Sequence, residues 1–244
     1  MEVEKPMELI AYFLIVAVAI LAHELGHFTA ARMLLIPVTS FSLGFGPIVF
    51  KRNWKGTTWQ LKVFPLGGSN EIDQEAFEET TPQKRIAVFA AGATVNILIA
   101  IIALILMLLL NHSFSISAIL AKIGKDLSFV VTSLLPSIVD SLRSTHSGLE
   151  ETSTTVATIF TGYSGRQFLT AILKLTYSIN LILGIGNLFP IPALDGGQIL
   201  LTIPECFQKK IPEVVAFSLN KVCFTIILCI MGFSLTKDVL LMIF

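Results

Sequence analysis

Apolar residues in this 244-residue chain gather into four long runs separated by polar stretches. A helix that crosses a bilayer needs about 20 largely apolar residues. Runs of that kind extend from about Leu9 to Leu35, from Ile86 to Leu110, from Gln167 to Phe189 and from Val214 to Leu235. The second contains no charge. The third holds Lys174, the fourth holds Lys221, and the first is interrupted by His23, Glu24, His27 and Arg32.

The stretches between the runs carry patterns of their own. Thr39 to Leu66 alternates apolar and polar side chains, with Gly44, Gly46 and Pro47 at one bend and Asn53 to Gly56 at another. That pattern predicts a β-hairpin over 39–66, apolar enough to rest against the membrane. From Ile116 to Leu142 apolar residues recur every three or four positions, which predicts one amphipathic helix, kinked at Pro136. It lies on the membrane surface or on the other spans; a fifth span is the alternative, opposed by Lys122, Lys125 and Asp126. Ser144 to Ser164 reads as a Ser/Thr/Gly-rich connector. The expected fold is an all-α polytopic membrane protein, a single domain over 1–244, with about four transmembrane helices and a membrane-associated β-hairpin after the first.

Composition narrows the class. The chain is 54% hydrophobic and 14% charged, against about 25% charged in a typical soluble domain. Its 17 basic and 17 acidic residues cancel, so no basic field points to nucleic acid. Cys206, Cys223 and Cys229 form no CxxC pair. The start Met1-Glu2-Val3-Glu4 is too acidic for a signal peptide, so the first run is expected to be a retained span. Basic residues concentrate between runs one and two (Lys51, Arg52, Lys55, Lys62, Lys84, Arg85) and between runs three and four (Lys209, Lys210). The positive-inside rule then puts loops 36–85 and 190–213 in the cytoplasm, and both termini and 112–166 outside it.

Candidate chemistry sits inside the first run. His23-Glu24-Leu25-Gly26-His27 is an H-E-x-x-H pattern. On a helix, positions i and i+4 share a face, so both imidazoles converge on one metal ion with the glutamate beside it as a base. Ionisable groups within a span are costly and mark a functional site by default. A catalytic zinc usually takes three protein ligands and leaves one position open. The best third candidate is Asp195, in Asn187-Leu188-Phe189-Pro190-Ile191-Pro192-Ala193-Leu194-Asp195-Gly196-Gly197. Its prolines prevent a regular helix, and irregular backbone at membrane depth is tolerated only where it lines a cavity. Asn187 is a weaker candidate for holding substrate or the oxyanion.

Taken together, these motifs resemble the site-2 protease family of intramembrane zinc metalloproteases, and within it the bacterial regulator-of-sigma-E protease branch. His23 to Phe28 resembles the family's metal motif, and Asn187 to Gly197 its third-span N-x-x-P-x-P-x-L-D-G-G motif. Gly44 to Pro47 and Phe64 to Gly68 resemble its membrane-associated hairpin, and Pro82, Lys84, Arg85, Ala91, Gly92 and Asn96 its second-span start. Ser69-Asn70-Glu71, Ala93, Ile182 and Gln198 depart from the family pattern. Many relatives carry a PDZ domain between spans two and three; the stretch here is too short for one.

The resemblance implies Zn2+ held by His23, His27 and Asp195, with Glu24 as the catalytic base. It implies cleavage within transmembrane segments of single-pass membrane proteins or remnant signal peptides. It also implies a multi-pass position in the plasma (inner) membrane, with the lipid bilayer and substrate segments as partners and no nucleic acid. A divalent-metal transporter and a non-catalytic homologue that binds membrane segments are the competing readings.

Overall fold

The computed structural model describes residues 4–112, 114–143 and 165–243. Among them, helix α1 (Glu4–Met33) leads into strands β1 (Val38–Trp54) and β2 (Thr57–Ile72), then a short α2 (Gln74–Glu78) and the long α3 (Pro82–Leu110). Next come α4 (Ile116–Arg143), α5 (Arg166–Asn187), α6 (Asp195–Thr202), a 3-10 turn at Ile203–Phe207, and α7 (Glu213–Ile243). The connector read at Ser144 to Ser164 lies outside the described residues.

Four of these helices are long and apolar enough to cross a membrane: α1 over Tyr12–Met33, α3, α5, and α7 over Glu213–Ser234. They coincide with the four apolar runs. Pro82 occupies the first turn of α3, where its missing N–H costs nothing and its fixed φ suits a helix start. Helix α3, uncharged from Ile86 onward, is the central helix, packed against both α1 and α5. At the crossing with α1 the backbones touch: a Cβ on Gly26 would sit 2.8 Å from the Ala91 carbonyl oxygen. Small residues allow this approach where no hydrophobic drive separates helix from lipid. In the apolar windows, by contrast, α7 has no residue buried within the molecule.

The stretch after α1 differs from a single hairpin. Val38 to Leu43 pairs on one side with Gly68 to Ile72 (Phe41 opposite Asn70, Leu43 opposite Gly68). On its other side Ser40 to Leu43 pairs with Thr58 to Leu61, which pairs in turn with the Lys51–Trp54 segment. Both strands are bent, and the result is a small sheet of four strand segments reaching Ile72, beyond the expected end at Leu66. The reason is local. Gly44 and Gly46 take positive φ (93° and 88°) and turn β1 back on itself. Lys55 and Gly56, both at positive φ, form the two-residue turn that matches strand twist. The molecule is thus mostly helical with a sheet inserted, rather than purely α.

Aromatic rings dock this sheet on α1. Phe28, the residue after His27, meets Phe41 edge-on at 5.6 Å and Trp59 at 5.1 Å between centroids. A second apolar core joins Ala100, Ala103 and Leu104 of α3 with Tyr177, Leu181 and Ile185 of α5 and Val130 of α4. Val130 thus sets α4 against α3 and α5, while Ile116, Leu120, Leu127 and Val131 of the same helix are exposed.

Candidate metal centre

The H-E-x-x-H helix does what its spacing demands. His23 and His27 lie one turn apart on α1, and their Nε2 atoms approach to 3.1 Å. Asp195, the first residue of α6, brings its Oδ2 to 3.1 Å from His23 Nε2 and 3.3 Å from His27 Nε2. The chain between α5 and α6 makes this possible. It is held by short turns, Ile191 N–H to the Phe189 carbonyl (2.7 Å) and Leu194 N–H to the Ile191 carbonyl (2.8 Å). Gly196 and Gly197 lie directly on the Leu188 and Ile191 carbonyls, where a side chain has no room.

The donor set fits a metal ion. One ligand atom from each of His23, His27 and Asp195 falls within 4.8 Å of the others. Bonds of about 2.0 Å at tetrahedral angles place ligand atoms about 3.3 Å apart. The observed triangle of 3.1, 3.1 and 3.3 Å has that size. His27 Nδ1 donates to the Val88 carbonyl at 2.8 Å, which commits its only proton and turns the Nε2 lone pair toward Asp195. Asp195 Oδ2 is buried and faces the two imidazole Nε2 atoms. Acceptors converging in a buried site are costly unless a cation holds them.

A cavity of about 280 Å³ opens beside this triangle, lined by His23, Glu24, His27, Asn70, Asn187 and Asp195 among others. The model of peptidase family M50 matches residues 11–230, most of the chain.

The chain belongs to family M50.

That is the site-2 protease family whose motifs it carries, and it makes this chain a multi-pass membrane protein of a metalloprotease family. A protein of Campylobacter jejuni named "Putative zinc metalloprotease" is 25% identical over an alignment that takes in 96% of this chain and 93% of that protein. That alignment runs to 343 positions, longer than this chain, so the Campylobacter protein carries additional residues on the order of 100, the size of a small domain. Proteins of the same name in Neisseria meningitidis and Nostoc are 32% identical over 48% of this chain and 50% identical over 25% of it. Those matches span 28% and 17% of the relatives' own lengths. The histidine pair with Asp195 could hold a metal ion, and it is a donor set of the kind zinc takes.

Every site residue read from the M50 motifs reaches the cavity. Asn187 lines it, although its amide donates to the Leu183 carbonyl one turn back (3.0 Å) and so also serves to end α5. Gln198, where the family's histidine usually stands, donates to the Pro192 carbonyl (2.6 Å) and to Asn220 Oδ1 of α7 (2.9 Å), tying the proline turn and α6 to the last helix. Asn70 is a site residue the motifs did not point to. Its Nδ2 donates to Glu24 Oε2 at 2.7 Å. The only trace in the sequence is the alternation that puts Gly68 and Asn70 on one face of β2.

Proposed function

We propose that this chain is an intramembrane zinc metalloprotease. It hydrolyses peptide bonds within the transmembrane segments of single-pass membrane proteins or remnant signal peptides. The observation that carries the reading is the His23–His27–Asp195 triangle with the Glu24 carboxylate beside it, three of the four on a helix long and apolar enough to cross a membrane.

His23, His27 and Asp195 hold the metal. Zinc supplies a Lewis acid for water and the scissile carbonyl when bound. Glu24 takes the proton from the attacking water and delivers it to the leaving amine nitrogen, which breaks the C–N bond. The amide of Asn187 stands at the cavity wall to orient the substrate backbone. A helical substrate hides its carbonyls in internal hydrogen bonds and must unwind first. The Gly68–Ile72 segment, an outer member of the sheet beside Glu24, suits an unwound segment added as a further strand.

Orientation follows the basic residues. Loops 36–85 and 190–213 face the cytoplasm, and the termini and 112–166 face the outside of the plasma (inner) membrane. The sheet's far segments carry exposed Val49, Phe50, Trp54 and Val63 among Lys51, Arg52, Lys55 and Lys62, the mixture expected of a hairpin lying at a membrane surface.

Purified wild type and Glu24→Gln chains in proteoliposomes test the reading, with single-pass fusion proteins tagged at both ends as substrates. The wild type is expected to cut within the membrane segment; the variant is expected to keep its zinc by elemental analysis and to lose cleavage. Equal cleavage by both overturns the mechanism.

A further inference from the structure

Glu24 is gripped by strand β2. Gly68 and Asn70 stand two residues apart on β2, hence on one face of the strand, and that face abuts the Glu24 side chain. A Cβ at Gly68 would fall 2.5 Å from Glu24 Cγ and 3.1 Å from its Cδ, so only glycine leaves the carboxylate its place. Ser69, between them, turns the other way, and its hydroxyl lies 2.8 Å from that of Ser42.

Asn70 closes a two-point clamp. Its Nδ2 donates to Glu24 Oε2 at 2.7 Å and to the Glu24 main-chain oxygen at 2.9 Å. Both partners are acceptors, so the group between them is the NH2 and not the amide oxygen. Bridging the side chain and main chain of one residue fixes torsions that a glutamate would otherwise leave free. The opposite end of the amide makes no such bond: Asn70 Oδ1 is buried without a partner. A buried unpaired acceptor costs stability, so an asparagine here is a poor choice for holding the fold alone.

We propose that Asn70 is a positioning residue for Glu24. It ties down Oε2, leaving Oε1 as the oxygen that takes the proton during peptide hydrolysis, and Gly68 supplies the clearance. The inference rests on the metalloprotease reading above. Preorganised groups of this kind act on the rate of the chemical step more than on substrate affinity.

Asn70→Leu keeps the shape and removes the donor; Asn70→Gln keeps an amide. With the doubly tagged single-pass substrates in proteoliposomes, Asn70→Leu is expected to lower kcat about 10- to 100-fold. KM stays within about two-fold, zinc content is unchanged, and Asn70→Gln recovers part of the loss. A second readout needs no turnover. Melting temperatures of Asn70→Leu, Glu24→Leu and the double variant should be non-additive, as expected of two residues in contact. A raised KM with unchanged kcat would make Asn70 a substrate contact, and lost zinc would make it a support of the metal site; either result overturns the proposal, as do additive melting shifts. The two readings fail differently. If the wild type cuts no substrate, the metalloprotease reading falls. If the wild type cuts and Asn70→Leu matches its kcat, only the clamp falls.

Discussion

Gly92 of α3 lies flat beneath the imidazole of His27. A Cβ at this position would collide with His27 Nε2 and stand 2.8 Å from His23 Cε1. The two histidines therefore keep their spacing because the neighbouring helix presents no side chain to them. Gly92→Ala should push the ring nitrogens apart and weaken zinc binding at least about ten-fold, the scale of losses when support of a metal ligand is disturbed. Gly124→Ala is the control. Nothing lies within 4 Å of that Cβ, so it should leave zinc untouched and stabilise α4 by up to about 1 kcal/mol. Zinc titration with a competing chelator, alongside melting curves, checks both.

Asp195 closes the triangle from a helix that the α5–α6 turn merely delivers to the site. A metal that binds only the folded chain raises its melting temperature through mass action. Stripping zinc from the wild type should therefore lower that temperature. Asp195→Asn keeps the shape and removes the charge, and should bind zinc so weakly that the chelator makes little difference. A chelator-induced drop of equal size in both would remove Asp195 from the ligand set.

Arg85 in the first turn of α3 forms a partly buried ion pair with Glu205 in the 3-10 turn after α6. Both guanidinium Nη atoms face the carboxylate, and the Nε is buried without a partner. Removing one member strands the other charge, at a cost of about 1–3 kcal/mol for a pair between the buried and exposed limits; replacing both with apolar residues of similar volume is often neutral. Arg85→Met should thus be destabilising, and adding Glu205→Met should restore much of the loss. Denaturant unfolding in mixed micelles distinguishes this from an additive result.

The apolar helices and the His23–His27–Asp195 cluster were legible because each follows from one local rule. A span is a continuous apolar run, and i, i+4 spacing fixes the two histidines wherever the helix packs. Asp195 was legible because it is an isolated acid after two prolines. Asn70 and Gly92 were not, since their roles depend on what faces them. Asn70 meets Glu24 only because the bends at Gly44, Gly46 and Gly56 fold β1 and β2 into four segments. Alternation alone indicates that a strand has two faces without indicating which one meets α1. Gly92 reads as a small residue in an apolar helix until the crossing with α1 brings the imidazoles onto it.

Asp126 and Tyr177 couple α4 to the spans. The Tyr177 hydroxyl donates to Asp126 Oδ2 at 2.7 Å, and Lys122 Nζ reaches the same oxygen at 2.7 Å. Burial works to raise the Asp126 pKa, but the bonds from Lys122 and Tyr177 and the nearby charges of Lys122 and Lys125 outweigh it, holding the carboxyl below its ordinary value of 3.8. A depressed folded-state pKa means that Asp126 stabilises the fold above the ordinary value and loses that contribution as pH falls through the lower, folded one. Asp126→Asn should therefore cost up to about 1 kcal/mol at pH near 7, since water screens this exposed cluster, a melting shift of up to roughly 4 °C for a chain of this size. The same substitution should cost little well below the folded-state pKa, where the wild-type carboxyl is also neutral. Melting curves of the two chains at both pH values decide it; a penalty that persists in acid would mean that Asp126 acts through packing, and that its charge does not hold α4 in place.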